Sequence, residues 1–103
     1  MEHLVTPSAR PIPRAFSYHW GSGSVVEEAA YTAQHHEPAV QLLEYEEGEA
    51  AGSWAVRFCF YNLDGRFQRS PLMVGEDELD GLRAALARTP RLRTLLRRLV
   101  EEA

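Results

Sequence analysis

The chain has 103 residues, 45% hydrophobic and 10% aromatic, with a formal charge of −4; this is the profile of one folded domain, too small for two cores and too apolar for wholesale disorder. A single cysteine, Cys59, excludes an internal disulfide and a cysteine-built zinc cluster. The acidic balance argues against a strongly basic nucleic-acid binder. With no apolar run near the ~20 residues that cross a bilayer and no signal-type start, the expectation is a cytoplasmic chain with no membrane partner.

Residues 1–14 carry Pro7, Pro11 and Pro13 with little periodicity and read as an extended arm. Phe16, Tyr18 and Trp20 alternate with Ser17 and His19, a short strand pattern with one aromatic face. Gly21-Ser22-Gly23-Ser24 reads as a flexible joint, so the expected organisation is an arm and joint over residues 1–24 and one domain over 25–103. Residues 25–36 are open between two states. Ser24 and Glu27 have capping-box spacing for a helix, while Val25, Val26, Tyr31 and Thr32 suit a strand.

Val40-Gln41-Leu42-Leu43-Glu44-Tyr45 predicts a strand, followed by an acidic connection over residues 46–52. Residues 53–62 give the sharpest pattern. Trp54, Val56, Phe58 and Phe60 share one face at period two, and Ala55, Arg57, Cys59 and Tyr61 share the other. Asn62-Leu63-Asp64-Gly65 is turn chemistry, because Asp-Gly tolerates the positive φ of a tight hairpin. A returning strand begins at Arg66 and is interrupted by Pro71, and Leu72-Met73-Val74 continues it.

Two helices close the chain. Glu76, Asp77, Glu78 and Asp80 crowd the start of the first, where carboxylates favour the helix dipole, and Leu79, Leu82 and Leu86 form its stripe. Thr89-Pro90 is a restart signal. In the second helix Leu92, Leu95, Leu96, Leu99 and Val100 recur at i, i+3, i+4, i+7 and i+8. The expected fold class is α+β: an antiparallel sheet of about four strands with C-terminal helices packed on one face. In that arrangement the helices cover Trp54, Val56, Phe58 and Phe60, and the opposite face leaves Arg57, Cys59 and Tyr61 to solvent.

Little in the sequence points to catalysis. His3, His19, His35 and His36 show no metal-ligand spacing, no glycine-rich phosphate loop precedes a helix, and no local motif joins a serine to a base. The expectation is a non-enzyme with no metal and no cofactor. Charge distribution is more informative. All eleven basic residues are arginine; residues 1–56 hold two of them against eight acids, and residues 57–103 hold nine against seven. Mutational bias accounts for arginine usage by itself, but arginine is also the side chain best shaped for phosphate and carboxylate. Arg57 and Tyr61 on the best strand, with Arg66 and Arg69 beyond the turn, interleave cations with an aromatic, as single-stranded nucleic acid requires.

From about residue 38 to 100 the order is strand, acidic connection, strand, Asp-Gly hairpin, short strand, leucine-rich helix. With Val56-Arg57-Phe58-Cys59-Phe60-Tyr61, Gly65, Arg69, Leu72-Met73-Val74 and the run from Glu78 to Leu86, it resembles the single-stranded-DNA-binding transcriptional coactivator family (positive cofactor four, with Whirly-type and PUR-type relatives). The resemblance implies a curved sheet that binds single-stranded nucleic acid through Arg57, Tyr61, Arg66 and Arg69. It also implies a homodimer built through helices; Leu92, Leu95, Leu96 and Leu99 of the second helix, an addition to the family's plan, are the candidate interface, though the same stripe serves packing within one chain. The first hairpin of that family is basic, whereas this one carries Glu44, Glu46, Glu47 and Glu49. Two functions therefore stand side by side: a non-catalytic, dimeric binder of single-stranded nucleic acid, active in transcription or DNA maintenance, and a protein–protein interaction module that binds none.

Overall fold

A computed structural model describes residues 10–68 and 71–101. Five strands, β1 (Arg14–Tyr18), β2 (Gly21–Ala30), β3 (Glu37–Gly48), β4 (Trp54–Tyr61) and β5 (Leu72–Gly75), form one antiparallel sheet in the order β1-β2-β3-β4-β5. A single 3-10 turn, Glu76–Glu78, leads into α1 (Leu79–Leu86) and then α2 (Pro90–Val100). The α+β class holds, with one more strand than the four expected.

The additional strand is β2, which makes residues 25–30 strand, while residues 31–36 form the connection to β3. Gly21-Ser22-Gly23-Ser24 is no joint; it is the first half of β2, paired with β1 on one side and β3 on the other. Glycine is required there by close approach. A Cβ at Gly23 would stand 1.9 Å from the Glu44 carbonyl oxygen. Register shifts at Ser22/Gly23 and between Val25 and Glu27 put bulges in β2, and bulges bend a strand and increase its twist.

That bending curls the sheet until side chains of β1 meet those of β4, which is not its hydrogen-bonded neighbour. Inside the curl lie Phe16, Val25, Leu43, Tyr45 and Ala55, the apolar core, with Tyr18, Trp20 and Met73 against it. Phe16 meets Tyr45 edge to face at 5.0 Å, and Tyr18 stacks on Trp20 at 4.7 Å. The turn after β4 follows its sequence. Asn62 Oδ1 accepts from the backbone N–H groups of Asp64 and Arg66, and Gly65 sits at φ 83°.

Two expectations about β4 and the helices are reversed. The inward face of β4 is Ala55, Arg57, Cys59 and Tyr61, while Trp54, Val56, Phe58 and Phe60 point out of the curl, with Trp54 and Phe60 exposed. The physical reason is space. The interior of a tightly curled sheet takes the small Ala55 and the long, polar-tipped Arg57 and Tyr61, whose ends find partners across it. The helices, expected on one face of the sheet, bury no residue at all. α1 follows β5 after only one 3-10 turn, so the pair leaves past the end of the edge strand. Among the described residues no helix is long and apolar enough to cross a membrane.

Candidate functional site

Parity along β3 and β4 sets the interior. Arg57 pairs in register with Gln41, and both point into the curl, 6% and 1% exposed. A glutamine at an inward position must satisfy an oxygen and two N–H groups without water. Gln41 does so completely. Its Oε1 accepts from Arg57 Nε at 2.6 Å, and its Nε2 donates to Glu28 Oε2 at 2.6 Å and to the Tyr61 hydroxyl at 2.9 Å. Arg14, from β1, reaches over the sheet with a two-pronged contact to Glu28 at 3.1 and 3.0 Å and donates to the Tyr61 hydroxyl at 3.3 Å.

Arg57 Nη1 donates to the Tyr18 hydroxyl at 2.9 Å, and its guanidinium lies 4.7 Å from the Phe67 ring centroid. Among the described residues no carboxylate pairs with it; neutral oxygens and ring faces balance its charge. Arg10 stacks over Tyr61 at 3.7 Å and pairs with Glu37 at 2.6 Å. Burial by itself raises the Glu28 carboxyl, but hydrogen bonds from Arg14 and Gln41 outweigh it and hold the group below the ordinary carboxylate value. Arg14 shows the converse balance: burial lowers it, and the bonds to Glu28 and Tyr61 raise it by more.

Of the four arginine and tyrosine positions that sequence reasoning grouped as a nucleic-acid surface, Arg57 and Tyr61 do not lie on a surface. Arg57 and Tyr61 are buried and bonded, each 6% exposed. Arg66 is exposed on the turn, and Arg69 lies outside the described residues. Arg14, Glu28 and Gln41 were missed as partners of this cluster. The available signal was Gln41, a polar residue at the parity shared by Ala39 and Leu43.

Cys59 shares the inward face and donates to Gln41 Oε1 at 3.4 Å. Burial pushes its thiol up, against the pull of Arg57, so it is poor in thiolate, the nucleophilic form. His36 packs edge-on to Phe60 at 5.2 Å. Among the described residues no three His, Cys, Asp or Glu side chains gather as a metal would need. At the open end of the curl a groove of about 1020 Å³ runs between Trp20, Tyr45 and Trp54 on one side and Glu76, Asp77 and Glu78 on the other.

The second set of sequence candidates stands differently. Leu92, Leu95, Leu96 and Leu99 are all exposed, Leu95 and Leu99 at 58%. They share one face of α2; Arg91 and Arg98 fall along one margin and Arg93 and Arg97 along the other, as 3.6 residues per turn places them. α1 adds Leu79 and Leu82, also exposed. Proline opens α2 at its first turn, and Thr89 turns its hydroxyl back to the Leu86 carbonyl at 3.1 Å in place of capping the helix. No family model, curated protein or solved structure matches the chain.

Proposed function

We propose that this protein is a non-catalytic interaction module that self-associates through its C-terminal helices. One observation carries the reading: two amphipathic helices present a leucine stripe with no buried residue. An isolated helix of α2's length is marginal in water, and most helix stability in proteins comes from packing an apolar face. A stripe of five apolar residues rimmed by four arginines is suited to pairing with protein, since exposed apolar patches of this kind mark interaction sites.

Single-stranded nucleic acid is the second reading, supported by the exposed Arg88, Arg91, Arg93, Arg97 and Arg98. It rests on the helix and not on β4, because Arg57 and Tyr61 are engaged inside the curl. On this reading the β4 residues Arg57 and Tyr61 are not the ligand contacts.

Sedimentation velocity over a range of protein concentrations tests the first reading. The expected result is a dimer that becomes a folded monomer on Leu95→Glu with Leu99→Glu. Fluorescence anisotropy with labelled single-stranded DNA tests the second. Binding that weakens steeply with salt and survives Arg57→Met, with a monomeric wild type, would favour nucleic acid over self-association.

A further inference from the structure

We infer that the outward face of the sheet is the receptor for the helix pair of a second copy of this chain, so that two copies exchange helices reciprocally. The inference rests on the self-association reading and names its counter-surface. The outward face is continuous and apolar across three strands. Val40 and Leu42 of β3 stand opposite Phe58 and Val56 of β4, and those stand opposite the exposed Leu72 and the already buried Val74 of β5. Phe60 and Leu72 are 43% and 60% exposed. A depression of about 280 Å³ is lined by Ala29, Val40, Leu42 and Val56 together with Glu27, Glu28 and Gln41.

Charge complementarity selects the occupant. α2 carries four arginines and no acid between Pro90 and Val100. The sheet face answers with carboxylates: Glu27 stands opposite Leu42 at the depression, and Glu44 stands opposite Trp54. A leucine stripe with arginine margins meets an apolar strip with glutamates at its border. The chain's own helices are directed elsewhere. Their exit after β5 is braced by the Gly75 N–H donating to Glu78 Oε1 at 2.8 Å, and α1 begins at the next residue. A second copy related by a two-fold axis places each helix pair on the other's sheet. The contact is then made twice, once in each direction.

Reciprocal exchange has a signature that helix-to-helix pairing lacks. A face variant, Phe60→Glu with Leu72→Glu, keeps a good helix; a helix variant, Leu95→Glu with Leu99→Glu, keeps a good face. All four positions are exposed, so circular dichroism should report an unchanged fold. Sedimentation of each variant alone should give monomer. Their equimolar mixture should give heterodimer, held by the one intact helix-to-face contact and weaker than the wild-type dimer. A face variant that remains dimeric would overturn the inference and leave self-association through the helices standing. A wild-type chain that is monomeric at every concentration would overturn both. A mixture no more associated than either folded variant alone, at concentrations far above the wild-type dissociation constant, would also overturn the exchange.

Discussion

Arg57 Nε donates to Gln41 Oε1 at 2.6 Å across the β3–β4 pair, inside the curl of the sheet. This bond makes a residue that looks like a surface cation into a core residue. Removing the guanidinium strips Gln41 Oε1 of its charged donor and the Tyr18 hydroxyl of another. Arg57→Ala should therefore destabilise the fold by about 2–3 kcal/mol, the scale of a hydrogen bond to a charged group plus its unsatisfied partner. Arg57→Met, which fills the space without a charge, should cost less. Urea unfolding of the three proteins orders them; an Arg57→Ala chain as stable as wild type would contradict the placement.

Glu28 makes the fold sensitive to acid. Its folded carboxyl sits below the unfolded value of about 4.3, held there against burial by Arg14 and Gln41. The sign follows: the stabilisation is fully present above the unfolded value and is lost as pH falls through the lower folded value. Glu28→Gln should lower stability near neutral pH and narrow the difference between the neutral and acidic sides of that titration. Denaturant midpoints across the interval, wild type against variant, check both effects.

Cys59 should react slowly with a disulfide reagent at neutral pH in the native state and faster once urea unfolds the chain. Burial raises its thiol, and the thiolate is the reactive form. Equal rates in the two states would place Cys59 outside the curl.

Two glycine replacements should move stability in opposite directions. At Gly23 a methyl group would meet the Glu44 carbonyl oxygen at 1.9 Å, so Gly23→Ala should cost about 1–3 kcal/mol through forced backbone movement. At Gly81, within α1, a Cβ meets nothing within 4 Å. Gly81→Ala should add about 0.5–1 kcal/mol to helix stability; the gain appears in helicity by circular dichroism.

Local chemistry was legible in the sequence wherever one residue type forces one geometry. Asn62 to Gly65 predicts the turn, the acidic run at Glu76 predicts the start of the helices, and Thr89-Pro90 predicts the break between them. The strand state of β2 was not legible, because Ser24 and Glu27 satisfy a helix start as well as they satisfy a strand, and only pairing on both sides decides. The inward face of β4 was hidden for a different reason. Both of its parities carry bulky or aromatic side chains, and the more apolar one points outward. Under the exchange proposed above, that inversion and the bare leucines of α2 share one cause: the apolar surface of this chain is completed by another copy.

Hydrogen exchange of the α2 amides as a function of protein concentration tests that cause most directly. A short helix with no buried residue opens readily, and packing against a partner protects it. Amides across Leu92 to Leu99 should be protected in concentrated solution and lose that protection on dilution, in step with the dimer-to-monomer transition. Fast exchange at every concentration, or protection that persists unchanged in the monomer, would contradict completion of the fold by a second copy.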